Sequence, residues 1–158
     1  MSKQYREQGF SLIELLMVIT LISILVRIGI SQFIDFSSDA RTAVTNTKLN
    51  AIKVAIIGDA RFVAGGKNSK QGFEVHCLAV PTALTDLTTQ PASGTCASTY
   101  DPFTKRGWRG PYVTSTDSTW STDAWGTAFV YSSGSRTIKS CGPDKSCVTT
   151  TDDITLSF

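Results

Sequence analysis

The chain has 158 residues, a formal net charge of +2 and a hydrophobic share of 41%, which bounds it to one domain plus an appended segment. Its basic residues are scattered among acidic ones without a dense basic stripe, so charge gives no ground for a nucleic-acid partner. The sequence shows no nucleotide-binding loop, hydrolase motif or internal repeat, and its single histidine, His76, has no serine or acid partner pattern. Catalysis is not expected.

In chain order, the first stretch is short and basic, "MSKQYREQG", with Lys3 and Arg6. Residues 10–30 follow, an apolar run of 21 in which only Glu14 and Arg27 are charged. As a helix this run is roughly 30 Å long, the thickness of a hydrocarbon core. A secretory signal would have a shorter apolar stretch and a small-residue cleavage site after it, and the chain has neither. A plain anchor fits the length, with the basic start left in the cytoplasm, but leaves Glu14 unexplained. A carboxylate at the centre of a span costs about 2.5–3.5 kcal/mol, and by default it marks function. Arg27 stands near the outer end, where a long basic side chain reaches the headgroups.

Beyond the span, Phe33, Phe36, Ala40, Val44, Leu49, Ile52, Ile56, Ala60 and Val63 recur mostly at three- and four-residue steps. This predicts an amphipathic continuation of the same helix through about Val63, stopped by Gly65 and Gly66. A loop-rich stretch with Pro81, Pro91 and Pro102 leads to the short β-type runs "GPYVT", "TAFVYSS", "RTIKSCG" and "DITLSF". They predict three or four antiparallel strands packed on the helix. Trp108, Tyr112, Trp120, Trp125, Phe129 and Tyr131 are expected to fill the core between sheet and helix rather than form a carbohydrate platform. The four cysteines all follow the apolar run, and an even count there predicts two disulfides in an oxidising compartment. Of three pairings, the local ones are Cys77–Cys96 and Cys141–Cys147.

The stretch "GFSLIELL" at residues 9–16 resembles the processing signal of type IV pilins and of the pseudopilins of type II secretion. The resemblance implies cleavage between Gly9 and Phe10 by a membrane-embedded prepilin peptidase. Residues 1–9 are then a discarded leader, and Phe10 becomes an N-methylated terminus. Glu14 would pair with the Phe10 amine of a neighbouring subunit, so that two charges costly in lipid satisfy each other only on assembly. It also implies an α+β pilin-like fold, with residues 10–31 as membrane and polymerisation helix, 32–64 as its amphipathic continuation, and 65–158 as a periplasmic or extracellular globular region. Where the family often has proline stands Ser31, and Arg27 replaces a usual small residue.

Further on, residues 110–112 ("GPY"), 123–126 ("DAWG") with Phe129 and Tyr131, and 140–144 ("SCGPD") are similar in order to the C-terminal part of the major pseudopilin of type II secretion. That resemblance implies calcium held by Asp144, Asp152 and Asp153, hard oxygen ligands. Cys141 and Cys147 bracket the loop, so a disulfide could hold it without a metal, and both readings stay open. The implied function is a homo-oligomeric, helical periplasmic filament for protein secretion. Its partners would be the inner-membrane assembly platform and minor pseudopilins. The alternatives are a pilin of a surface pilus and, from another class, a singly anchored periplasmic binding or enzymatic domain.

Overall fold

The computed structural model describes residues 10–64, 67–114, 118–148 and 151–158, with side chains at all but 28–35, 60–70 and 118. The chain falls into two compact units, Met1–Ala40 and Arg41–Phe158.

One helix, α1, runs Leu12–Ile57. Isoleucine and leucine supply 16 of its 46 residues, and no proline interrupts its length. Ser11 opens it by accepting from the backbone N–H groups of Glu14 (3.0 Å) and Leu15 (3.2 Å). Glu14 in the first turn suits the positive end of the helix dipole.

The helix ends earlier than the spacing predicts. Gly58 takes φ 93°, a left-handed conformation that glycine adopts without steric cost, and its N–H closes on the Val54 carbonyl at 2.8 Å. The chain then reverses into a hairpin, β1 (Asp59–Ala64) against β2 (Lys67–Lys70), with Asp59 opposite Lys70 and Ala64 opposite Lys67. The turn is set from a distance: a Cβ on Gly72 would collide with Ile56 O and Gly58 N, so two backbones cross where the helix would otherwise continue. Ala60 and Val63, expected on the helix, are therefore strand residues. Gly65 and Gly66, the expected stop, lie outside the described residues.

In the second unit the buried face of α1 is Thr45, Leu49, Ile52 and Ile56, each no more than 2% exposed, at a 4-3-4 spacing that keeps one stripe. Val44, predicted for that stripe, is 49% exposed, and Phe36, in the first unit, also points outward. Against the stripe lie the short helix α2 (Phe73–Cys77), a 3-10 turn at Leu84–Leu87, and a sheet in the order β3-β4-β5. The sheet is antiparallel: β3 (Val130–Ser132), central β4 (Thr137–Ser140) and β5 (Ile154–Ser157). Residues 110–112 are not a strand; they carry a cis Gly110–Pro111 bond into a bend.

Leu87, Phe129 and Ile138 are buried with the helix stripe, and Trp108, Tyr112, Trp120 and Tyr131 pack around them, so most of the aromatics are core. Trp125 is half-buried, outside the side chains that pack on that cluster. Each buried leucine or isoleucine contributes about 1.5–3 kcal/mol. Both local disulfides are present, Cys77–Cys96 and Cys141–Cys147.

Candidate functional site

In the first unit, Phe10 is 81% exposed and the helix from Leu12 to Val26 turns apolar side chains outward on every face. A helix apolar all round needs lipid or other protein around it. Its two hydroxyls ask nothing of their surroundings: Thr20 Oγ1 donates to Met17 O at 2.8 Å and Ser23 Oγ to Ile19 O at 2.7 Å. That leaves Glu14 and Arg27 as the charged side chains of the stretch. Gly9, the expected cleavage residue, lies outside the described residues. Among the described residues no helix is long and apolar enough to cross a membrane. The apolar side chains described there end at Val26, roughly 22 Å from Leu12 at helical rise.

The second unit gathers its polar groups around β4. Asp123 is 3% exposed; its Oδ1 accepts the N–H groups of Trp125 (3.0 Å) and Thr127 (2.8 Å), and its Oδ2 accepts the Ser140 hydroxyl at 2.7 Å. The Gly142 N–H donates to Ser140 Oγ, and the Ala124 N–H to Thr45 Oγ1 at 3.2 Å. The carboxylate thus ties two of the three motif stretches to each other, and the adjacent Ala124 N–H ties them to α1.

Of the three expected calcium ligands, Asp144 and Asp152 meet beyond Ser140, while Asp153 lies against Lys139. The Asp144 N–H donates to Asp152 Oδ2 at 3.3 Å, and Asp153 pairs with Lys139 Nζ at 2.6 Å while its side chain is 5% exposed. Lys139 Nζ also donates to Cys147 O at 3.2 Å. Asp152 Oδ1 and Asp153 Oδ1 are buried without a hydrogen-bond partner, so the donors have the hard character calcium takes. Yet among the described residues no three acidic, histidine or cysteine side chains are placed to hold a metal ion together. A lysine ammonium already sits on Asp153.

His76 is 3% exposed. Its Nε2 lies 3.1 Å from Gln71 Oε1, an acceptor, so that nitrogen carries the proton; Nδ1 then accepts the Tyr112 hydroxyl at 3.1 Å. The same hydroxyl accepts the Arg109 backbone N–H at 3.1 Å. Burial first, and then the Arg109 charge, lowers the His76 pKa below 6.5. These hydrogen bonds are satisfied only with a neutral imidazole. It lies on the wall of a cleft of about 1190 Å³ that Asn50, Gln71, Arg109 and Trp120 also line.

Sequence reasoning missed the long cations that lock this unit. Lys48 Nζ donates to Thr119 O and Thr122 O, and Lys53 Nζ to Ser157 O. Arg136 grips Glu74 with two nitrogens at 2.7–2.8 Å and Phe158 O with a third. Only the positions of Lys48 and Lys53 beside the apolar stripe hinted at this; their acceptors are more than seventy residues away.

A family model of the prokaryotic N-terminal methylation motif matches residues 4–26. That match spans the expected cleavage point, Phe10, Glu14 and the described apolar helix, and it supports a prepilin-type signal. No curated protein matches the chain, and no solved structure does.

Proposed function

We propose that the chain is the structural subunit of a type IV-like filament. It is made as a membrane-anchored precursor with a cytoplasmic N-terminus, cut between Gly9 and Phe10 by a prepilin peptidase, and N-methylated at Phe10. One observation carries this reading: a methylation motif at residues 4–26 leads into a helix that is apolar on every described face, with Glu14 four positions after Phe10. Residues 10–31 form the span and the polymerisation helix. Glu14 meets the Phe10 amine of a neighbour, and Arg27 reaches the headgroups.

The intact mass of the chain purified from its native cell tests this. The expected mass lacks residues 1–9 and carries one added methyl, placed on Phe10 by fragmentation. A full-length or unmethylated chain that stays monomeric in the membrane would sink the filament reading in favour of a singly anchored binding domain.

Within that class the reading is a major-pseudopilin-like subunit of a periplasmic secretion pseudopilus, working with an inner-membrane assembly platform and minor subunits. The order of residues 110–112, 123–126 and 140–144 supports it, as does the Asp123–Ser140 hydrogen bond that joins two of those stretches. The Cys141–Cys147 staple favours a second reading, a surface pilin. Deleting the gene separates the two. A secretion defect without loss of surface filaments supports the pseudopilus, and loss of long surface filaments supports the pilus.

A further inference from the structure

The second unit carries two loops that each present an apolar residue almost wholly to solvent: Phe103 is 95% exposed and Val148 90%. Lone exposed apolar residues are ordinary, but these two sit on rigid supports. The hairpin under Phe103 is closed by the Asp101 N–H donating to Arg106 O at 2.7 Å. It is locked by the Asp101 carboxylate, which accepts the Phe103 N–H (2.9 Å) and the Thr104 hydroxyl (2.8 Å). Val148 follows the Cys141–Cys147 disulfide, inside which the Ser146 N–H donates to Asp144 Oδ1 at 2.8 Å.

The loops differ in charge. Lys105, Arg106 and Arg109 outweigh Asp101 around the first, whereas Asp144, Asp152 and Asp153 outweigh Lys139 and Lys145 around the second. They are also anchored at opposite ends of the helix segment they share. The hairpin is held through Gly107 N–H to His76 O, on the short helix that begins where Gly72 meets Ile56 and Gly58. The disulfide loop is held through Ser140 and Asp123, next to Ala124 on Thr45. Thr45 and Ile56 are about 16 Å apart along the helix axis.

We propose that the Phe103 hairpin of one copy docks on the Val148 loop of the next, a head-to-tail contact between second units. The proposal rests on the filament reading and adds a named partner surface to it. Opposite charge favours this pairing and disfavours hairpin on hairpin. Two different patches at two ends make a heterologous contact, the kind that propagates into an open polymer rather than closing a dimer. Loops already locked lose little conformational freedom on docking.

The test uses the full chain assembled in its own cells. Phe103→Cys with Val148→Cys in one chain is expected to give a ladder of disulfide-linked multimers on oxidation, while each single variant gives none beyond a dimer. Lys105→Glu with Arg106→Glu is expected to cut filament yield on the order of tenfold, and adding Asp144→Arg to restore it. The Phe103, Val148, Lys105 and Arg106 side chains are exposed, so the melting temperatures of their variants should match wild type; Asp144→Arg also removes the acceptor of the Ser146 N–H and is read by the filament yield it restores. Filaments at full yield with no ladder would overturn this contact and leave the filament reading standing. A processed wild-type chain that never polymerises would overturn both.

Discussion

At the scale of single residues, His76 is the group whose chemistry is most tightly specified. Each ring nitrogen has one partner, and the partners demand a neutral ring: Gln71 Oε1 takes its proton and the Tyr112 hydroxyl gives one. Arg109 approaches from the loop side, with its guanidinium 4.9 Å above the Tyr100 ring, which itself meets His76 edge-on. A folded-state pKa below the unfolded value means that the unfolded chain binds the proton more readily. The stabilisation is therefore complete above about pH 6.5 and is lost as pH falls through the lowered folded value. The melting temperature should be level from pH 8 to about 7 and then decline before the carboxylates begin to protonate. His76→Gln should flatten that decline. Glu74, held low by its hydrogen bonds from Arg136, acts in the same direction in a more acidic window: its contribution is present above about 4.5 and lost below. An unchanged melting temperature between pH 7 and 5 would show that the ring protonates without cost.

At the scale of elements, β4 and the loop after it behave as one device. Ser140 is fully buried and serves Asp123 and Gly142 together. Ser140→Ala leaves a buried carboxylate oxygen without its donor and should lower stability by about 1–3 kcal/mol in urea unfolding. Lys139→Met should cost more, up to about 3–5 kcal/mol, because it strands the nearly buried Asp153 charge. If the ammonium does the work of a bound cation here, a chelator leaves the wild-type melting temperature unchanged under oxidising conditions, whereas added calcium raises that of the lysine variant. A chelator-sensitive wild type would instead restore calcium as the loop's resident ion. The sequence made part of this legible. Leu49, Ile52 and Ile56 were readable as a stripe because helical spacing is local, and both disulfides followed from nearness in the chain. Thr45 was passed over for Val44 because hydrophobicity alone cannot see a hydroxyl answered by Ala124 from across the fold. The end of α1 was misplaced because Gly58 turns where Gly72 passes, a contact with no trace in local periodicity. Lys139 was missed because its carboxylate partner is joined to it by β4–β5 pairing and not by spacing.

At the scale of the whole molecule, every described buried residue lies in the second unit, from Thr45 onward, while the described apolar side chains of residues 12–26 are all exposed. Folding and assembly should therefore be separable, and Glu14 is where to separate them. It belongs to the first unit, and every core residue described lies in the second, so Glu14→Ala should leave the melting temperature and the two disulfides as they are. Cleavage between Gly9 and Phe10 should also persist, since Phe10 and the apolar run are untouched. Assembly is a different matter. On the proposed reading, an amine freed at Phe10 and the Glu14 carboxylate, each costly in lipid by about 2.5–3.5 kcal/mol at the centre of a span, would relieve each other only between copies. Removing the carboxylate would then leave the amine without its counter-charge at every joint of the proposed filament. Since about 1.4 kcal/mol is tenfold in an equilibrium, filament yield should fall more than tenfold, with processed, folded subunits accumulating in the membrane. Sedimentation of sheared filaments, set against the membrane pool on the same blot, measures both quantities. Normal filament yield from Glu14→Ala would mean that apolar packing of residues 10–31 suffices for assembly, and that the carboxylate serves another step.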